Sequence, residues 1–295
     1  MSGGYNPNAI FLMGPTGVGK SAVALMLAKI FPLEIVSVDS VQVYKDLNVG
    51  SAKPTPIERK EIAHHLIDVC DIDEAYSAAR FCRDAKKVSC EILARKKLPL
   101  FVGGTGLYFK SFSDGLSNLP KSDPDLRVQL LLEMRMSGLS KLHDRLRTLD
   151  PKSADRIHSK DTQRVIRALE VCILGGKPMS AALEEKSRGD DILRPLKFVL
   201  FNAERDLLRA RQKTRFIEML NSGLVNEVLN LMSGRTSEDV PGCLKSVGYR
   251  QVWSYLKGEL SYDEMVSRAI IATGQLAKRQ DTWFRGETGG FRIES

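Results

Sequence analysis

A glycine-rich segment near the beginning of the sequence carries its clearest chemical signal. Its residues fit the spacing G-x-x-x-x-G-K-[S/T] at every defined position: Gly14, Pro15, Thr16, Gly17, Val18, Gly19, Lys20 and Ser21. Glycines let backbone N–H groups converge on an anion, and a helix starting at the loop adds its positive end. Lys20 supplies a mobile charge, and the Ser21 hydroxyl can hold Mg²⁺. The segment predicts a binding site for a di- or triphosphate.

The elements around this loop predict how it is positioned. The apolar run Ala9–Met13 precedes it, and an Ala/Leu-rich helix is expected over 21–30. Further short strands are expected at 34–38, 98–102 and 196–201, and they alternate with helices such as that at 77–97. This pattern predicts a mostly parallel α/β sheet, in which ligands lie beyond the carboxyl ends of the strands. Asp39, Thr105 and the phosphate loop are therefore expected to share one crevice.

Residues 115–194 have a different pattern, with several helix starts and no convincing strand. Asp123 and Asp150 each precede a proline, as N-cap residues do, and Asp161 precedes a helix at 162–171. The sequence thus predicts a phosphate-loop α/β core from residues 1–114 and 195–295, with a helical insertion domain at 115–194. After the last core strand, helices are expected over 214–232, with a break at Gly223, and from Ser261 towards residue 285.

The composition is ordinary for a globular protein and limits the class of protein to which the chain can belong. Hydrophobic residues make up 43% and charged residues 27% of the 295 residues, and no apolar run reaches membrane-spanning length. Five scattered cysteines without a C-x-x-C pair indicate reduced thiols, and the polar first eight residues have no signal-peptide character. We therefore expect a cytoplasmic protein without a membrane partner, and a monomer. The net charge of +8 suits a nucleic acid partner such as tRNA or ordinary basicity equally well.

The phosphate chemistry itself has two interpretations. A small-molecule kinase normally offers a second carboxylate for Mg²⁺ at another strand end. Here the strand at 98–102 ends on Gly103 and that at 196–201 on Asn202, so Asp39 is the only carboxylate at a predicted strand end. A lone carboxylate beside a pyrophosphate cradle fits a general base for a nucleophile that displaces pyrophosphate. Some kinases also use an aspartate near this place, so both alternatives remain at this point.

A series of segments resembles the signature of bacterial tRNA dimethylallyltransferases (isopentenyltransferases). With the phosphate loop they follow one another in order over almost the whole chain: VDSVQVY (38–44), GSAKP (50–54), HHLID (64–68), AYSA (75–78), VGGTGLY (102–108), QRVIRALE (163–170), VGYRQ (247–251) and QLAKRQ (275–280). The resemblance implies transfer of a dimethylallyl group from dimethylallyl diphosphate to N6 of the adenosine 3′ to the anticodon, in tRNAs reading codons that begin with U. It also implies a phosphate-loop core with a helical insertion that clasps the anticodon arm.

The same resemblance implies roles for individual residues. Asp39 would be the general base, Arg215 a diphosphate contact, and Thr105 a hydroxyl near the bridging oxygen. Residues 14–21 would hold the diphosphate, with Mg²⁺ on Ser21. The tRNA contacts would come from Asp39, Ser40, Val41, Gln42, Gly106, Gln163, Arg164, Val165, Ile166, Arg167, Lys245, Gly248, Tyr249, Arg250, Gln275, Lys278 and Arg279.

One position departs from the family pattern. Gly274 stands where the family usually has an arginine, so a phosphate contact and some salt dependence of tRNA binding are expected to be lost. By pattern alone, the polar residues of the 162–171 helix indicate only a solvated face.

Two other functions compete with dimethylallyl transfer: a phosphate-loop small-molecule kinase and a regulatory RNA-binding protein without catalysis. The presence of Lys20, Asp39 and Arg215 argues against the latter.

Overall fold

The computed structural model describes residues 7–117, 119–185, 193–202, 204–235, 240–287 and 289–295. The chain divides into two compact units. We call them the core unit, Met1–Ser111 with Asp191–Ser295, and the helical unit, Phe112–Asp190. The sequence-based division, after residues 114 and 194, lies a few positions later in the chain.

The core unit is built on a parallel sheet with the strand order β3-β2-β4-β1-β5-β6. Its strands are β1 (Ala9–Met13), β2 (Leu33–Val38), β3 (His64–His65), β4 (Leu98–Gly103), β5 (Pro195–Phe201) and β6 (Phe291–Glu294). The four predicted strands are confirmed within a residue at each end. Two edge strands were not predicted. β3 has only two residues, and β6 is exposed along its whole length, so neither has a buried hydrophobic pattern.

Burial on both faces explains why the central strands are nearly continuous apolar runs. All six residues of β2 are buried, and β1 pairs with β4 in a register that places Phe11 opposite Phe101. These two rings make an edge-to-face contact with centroids 5.1 Å apart. Because the strands are parallel, β1, β2 and β4 all end at the same edge of the sheet, next to the phosphate loop.

Four helices follow in the first part of the chain: α1 (Lys20–Ile30), α2 (Pro56–Glu61), α3 (Ala78–Ala94) and α4 (Gly106–Asp114). The Ser77 side chain caps α3 by accepting a hydrogen bond from the Arg80 N–H. The helix ends before the predicted residue 97, because Lys96 adopts a positive φ of 59°.

The helical unit contains α5 (Pro124–Ser137), α6 (Leu139–Leu149), α7 (Pro151–Arg156), α8 (Thr162–Gly175) and α9 (Met179–Glu184). The predicted N-caps are confirmed, since the side chains of Asp123, Asp150 and Asp161 each accept a backbone N–H in the first turn. The described part of this unit has no strand. It has its own hydrophobic core, which includes Leu142 and Leu169.

The last part of the chain returns to the core unit with α10 (Arg205–Asn221), α11 (Leu224–Met232), a short 3₁₀ helix (Gly242–Lys245), α12 (Tyr249–Leu256) and α13 (Tyr262–Arg285). The predicted break at Gly223 is confirmed, at a φ of 95°. The predicted start at 214 was wrong, because the first turns of α10 are mostly exposed and carry no apolar periodicity. The Ser261 capping box opens α13 as expected. Within the described residues, no helix combines the length and the apolar character needed to cross a bilayer.

Candidate active site

The phosphate loop lies between β1 and α1, as its sequence requires. Gly17 and Gly19 have φ values of 86° and 95°, a region that L residues with a side chain rarely adopt. The Lys20 ammonium is half-buried and donates to the carbonyl oxygens of Gly14 (2.8 Å) and Pro15 (2.7 Å). The loop is thus folded back over its own lysine, with the charge held inside the curve of the backbone.

Asp39 lies at the carboxyl end of β2. Its Oδ1 accepts hydrogen bonds from the N–H groups of Val41 (2.8 Å) and Gln42 (3.2 Å), which fixes the carboxylate on the turn that follows the strand. Thr105, at the end of β4, accepts the Ser40 N–H on its hydroxyl at 3.2 Å. The ends of β2 and β4 are therefore joined through the residues that the resemblance singled out.

A cavity of about 340 Å³ opens at this edge of the sheet, and we call it the strand-end cavity. The loop and Asp39 line it together, as the strand-end position predicted, and Arg215 reaches it from α10. Thr105 does not line it, although the preceding Gly103 and Gly104 do. Side chains that form its walls include Thr16, Lys20, Ser21, Ser37, Asp39, Gln42, Lys53, Ile67, Arg211, Arg215 and Gln280.

The charges in this cavity act on one another. Burial lowers the pKa of Lys20 to about 7, with a further decrease from the Arg215 charge and an opposing increase from Asp39. Burial also lowers the pKa of Arg215, against the effect of Asp39. Two desolvated cations, Lys20 and Arg215, thus lie in the cavity together with the Asp39 carboxylate. Such a site favours a bound polyanion, because the anion restores the charge balance that burial has disturbed.

Two glutamines hold the phosphate loop by hydrogen bonds to its backbone. They were not predicted from the sequence as site residues. Gln280 of α13 accepts the Thr16 N–H at 2.9 Å and donates to Gly104 O at 3.0 Å. Gln212 of α10 donates to Thr16 O at 3.0 Å. Gln280 ends the quoted QLAKRQ segment, but its partners are more than 170 residues away in the sequence. Only the tertiary structure reveals these contacts.

Arg211 is a further cavity residue that was missed. It lies four residues before Arg215 on α10, so both side chains extend from one face of the helix. This i,i+4 spacing was present in the sequence. The start predicted for that helix excluded Arg211, and its relation to Arg215 was therefore not used.

The donor set at the loop suits Mg²⁺ better than a transition metal. Among the described residues there is no group of three His, Cys, Asp or Glu side chains that could hold a metal ion by themselves. The Ser21 hydroxyl, at the first turn of α1, and the Asp39 carboxylate both line the cavity and are hard oxygen donors. Magnesium is commonly bound by one or two such groups together with substrate phosphates. The residues present fit a Mg²⁺ ion that arrives with a diphosphate.

The expected tRNA contacts fall into exposed and buried groups. Ser40, Gln163, Arg164, Lys245, Arg250, Gln275, Lys278 and Arg279 are exposed. Val165 and Ile166 are buried in the core of the helical unit. Tyr249 is fully buried and donates its hydroxyl to Glu227. The side chains of these three residues are therefore core contacts, not tRNA contacts, because no surface is left for a partner.

Two other expected contacts already have partners within their unit. The half-buried Arg167 donates to Glu170 Oε2 (2.8 Å) and to Pro120 O (2.7 Å), so its role includes holding the helical unit together. Gly106 packs against Trp283, where a Cβ would lie 2.3 Å from the indole Nε1. Gly106 is thus required for close packing of α4 on α13.

Comparison with known proteins shows which family the chain resembles over most of its length. Residues 42–287 match the sequence profile of the family described as IPP transferase. A tRNA dimethylallyltransferase of Halorhodospira halophila is 48% identical over 283 residues, which are 96% of this chain and 91% of that protein. That of Thioalkalivibrio sulfidiphilus is 47% identical over 96% of this chain and 89% of its own length.

Solved structures with the same fold carry related descriptions. The full-length tRNA isopentenylpyrophosphate transferase of Bacillus halodurans superposes with a TM-score of 0.68 at 33% identity, over 98% of this chain and 90% of that one. A eukaryotic dimethylallyltransferase acting on tRNA gives a TM-score of 0.80 at 28% identity, over 98% of this chain and 74% of that one. A phosphate-loop core, a strand-end aspartate and these matches lead to one conclusion: the chain belongs to the IPP transferase family.

Proposed function

We propose that this protein transfers a dimethylallyl group from dimethylallyl diphosphate to N6 of the adenosine 3′ to the anticodon, in tRNAs reading codons that begin with U. One observation from the structure supports the proposal. The phosphate loop, the Arg215 cation and the Asp39 carboxylate meet in a single cavity. A diphosphate site and a general base next to each other are what displacement of pyrophosphate by an amine requires.

The transfer is a substitution at the allylic carbon. The target adenine leaves its stack to reach the cavity. Its N6 forms a bond to the carbon while the bond from that carbon to the diphosphate oxygen breaks, and the bonding electrons leave with pyrophosphate. The N6 proton passes to Asp39, whose Oδ1 is fixed by the Val41 and Gln42 N–H groups. A base is needed because the amine lone pair is delocalised into the ring.

Developing charge on the departing oxygen is stabilised by the loop. Backbone N–H groups of the phosphate loop, the Lys20 ammonium and the Arg215 guanidinium supply positive charge in a half-buried site. Ser21 would hold Mg²⁺, which supplies additional charge neutralisation for a diphosphate leaving group. Gln212 and Gln280 keep Thr16 and the loop backbone in place for these contacts.

Acceptor tRNA would meet exposed polar and basic residues in both units. On α8 these residues are Gln163 and Arg164. On the helices that follow β5 they are Arg250, Lys278 and Arg279. We propose that the protein acts as a monomer. Because its acceptor is tRNA, we place the reaction in the cytoplasm. The kinase alternative is not favoured by the family assignment.

A labelling experiment tests the proposal. Unmodified tRNA is incubated with the protein, Mg²⁺ and labelled dimethylallyl diphosphate, with a parallel reaction that contains labelled ATP. We expect label in tRNA at the adenosine 3′ to the anticodon and no phosphoryl transfer. Absence of label from tRNA would refute the proposal, and γ-phosphate transfer would support the kinase instead.

The role of Asp39 is tested by Asp39→Asn. Asparagine retains an oxygen for the Val41 and Gln42 N–H groups, so the turn is preserved, but it cannot accept the N6 proton. We expect the transfer rate to fall by about 10²- to 10⁴-fold, as for loss of a general base, with tRNA affinity nearly unchanged. Asp46→Asn, at an exposed carboxylate seven residues away, is the matched control. Loss of tRNA binding in Asp39→Asn would instead indicate a docking role.

A further inference from the structure

Glu227, on α11, is the acceptor of an unusually dense set of hydrogen bonds. Its Oε2 accepts the N–H groups of Asn48 (3.0 Å) and Val49 (2.7 Å), and its Oε1 accepts that of Gly50 (3.1 Å). The Tyr249 hydroxyl also donates to Oε1, at 2.6 Å. One carboxylate thus fixes three successive backbone amides of the segment 48–53, which we call the 48–53 loop.

The other end of this loop holds a side chain of the strand-end cavity. The carbonyl oxygens of Ser51 and Ala52 each accept a hydrogen bond from Gln42 Nε2 at 3.2 Å. Carbonyl oxygens only accept, so the amide nitrogen of Gln42 must face the loop. Gln42 Oε1 accepts the Ser37 hydroxyl at 2.9 Å. The loop therefore fixes both the place and the orientation of this amide, which lines the cavity together with Asp39.

Backbone hydrogen bonds from Ala52 to Val49 and from Lys53 to Asn48 hold the 48–53 loop internally, and Glu227 anchors it to α11. The loop belongs to no helix or strand, and Ala52 has a positive φ of 46°. Gly50 packs so closely on Tyr249 that a Cβ would lie 2.6 Å from the ring. Besides Glu227, the Lys53 ammonium ties the end of the loop to Asp68 (2.6 Å) and to Tyr44 O (2.7 Å).

We propose that Glu227 is a positioning residue of the transfer reaction: by anchoring the 48–53 loop, it sets the Gln42 amide beside Asp39 in the cavity. The inference rests on the proposed function and adds a residue that touches neither substrate. A carboxylate is required because it presents only acceptors to four converging donors. A glutamine side chain would direct one N–H₂ group at donors that it cannot pair with.

The test is therefore Glu227→Gln, an isosteric change. We expect the single-turnover rate of prenyl transfer to fall by about ten- to a hundredfold, since displacement of about 1 Å at a site has such effects. The dissociation constant for dimethylallyl diphosphate should change by less than about twofold, because the phosphate loop is untouched. Glu227→Asp should recover part of the rate, and Tyr249→Phe, which removes one of four hydrogen bonds, should have a smaller effect. Asn226→Ala, exposed on the same helix, is the control.

A double-mutant cycle separates positioning from general stability. In a Gln42→Ala background the Gln42 amide is absent, so Glu227→Gln should lower the rate by less than about threefold. Equal rate losses in both backgrounds would overturn the inference, as would a lowered melting temperature without any loss of rate. Wild-type protein that transfers no label would refute the proposed function itself, and that result is distinct from either outcome.

Discussion

At the scale of single residues, the site depends on groups whose charge is altered by burial. Lys20, Arg215 and Asp39 lie around one cavity; burial lowers the pKa of both cations, and the Arg215 charge lowers that of Lys20 further. The Lys20 ammonium donates to Gly14 O and Pro15 O. Binding of a diphosphate would replace these carbonyl contacts and stabilise the charged form of the lysine.

Proton uptake on diphosphate binding follows from the Lys20 pKa of about 7. Above pH 7 the free site is largely neutral at Lys20, whereas the bound diphosphate raises this pKa, so binding takes up a proton. Affinity should be highest below about pH 7 and decrease as the pH rises to 9. Calorimetry of dimethylallyl diphosphate binding at pH 8, in buffers of different ionisation enthalpy, measures the uptake.

Two variants test the prediction of proton uptake. Lys20→Arg carries a charge at every pH used and should abolish the proton uptake. Lys29→Arg, at an exposed lysine of the same helix, should leave it unchanged. Equal proton uptake by wild type and Lys20→Arg would mean that another group titrates.

At the scale of elements, the sheet supplies the positions and the late helices hold them. β2 and β4 bring Asp39 and Thr105 to one edge, while α10 and α13 reach back to the loop through Gln212 and Gln280. Gln275 and Arg279, an i,i+4 pair within the five residues before Gln280, are exposed on another face of the same helix. The same helix thus contacts the phosphate loop and presents residues expected to bind tRNA.

The opposite end of β2 is held by ion pairs to the buried Glu34, and their strength depends on pH. Glu34, with only 4% of its side chain exposed, contacts Arg95 (2.7 Å), Lys97 (3.3 Å) and His65 (2.7 Å). The Arg95 hydrogen bonds do most to lower the pKa of Glu34, to about 2, against the effect of burial. A lowered carboxyl pKa stabilises the fold above the unfolded value of 4.5, and this stabilisation is lost as the pH falls towards 2.

Glu34→Gln is therefore expected to reduce the free energy of unfolding of the core unit by about 2 kcal/mol at pH 7, after allowance for the solvent exposure of Arg95 and Lys97. The difference from wild type should shrink below pH 4.5. Urea unfolding at pH 7 and at pH 3.5 measures it. Glu61→Gln, which breaks an exposed pair with Lys29, should cost less than about 1 kcal/mol. A pH-independent loss in Glu34→Gln would indicate packing instead of charge.

At the scale of the whole molecule, positive charge is the feature that a tRNA would meet. The net charge is +8, and the exposed cations Arg164, Lys245, Arg250, Lys278 and Arg279 are distributed over both units. Gly274 lies among these residues on α13, where the family usually has arginine. A Cβ at this position would lie 3.9 Å from Gln212 Oε1, so the space admits a side chain.

Gly274→Arg should therefore strengthen tRNA binding by adding a phosphate contact. The slope of log K against log salt should become steeper by about 0.7 to 0.9 for one contact. Gly274→Ala is the matched control, because it gives about the same gain in helix propensity without a charge. If alanine strengthened binding as much as arginine did, rigidity of α13 would be responsible.

The sequence by itself determined the chemistry and its local supports. The loop spacing, the strand that ends on Asp39, the helix caps at Asp123, Asp150 and Asp161, and the break at Gly223 all depend on neighbours a few residues away. Such contacts are encoded by residue types and short spacings, so they could be predicted without coordinates. The resemblance then selected Arg215, which had no distinguishing local pattern.

Only the tertiary structure decided which residues hold the site together. Gln280, Gln212 and Glu227 bind backbone partners between 176 and 264 residues away in the sequence, and a polar side chain on a helix gives no sign of such a partner. Burial also separated Val165, Ile166 and Tyr249 from the exposed members of the same motifs. A motif says which residues occur together in the sequence. Whether each of them is buried or exposed is decided by the packing of the whole chain.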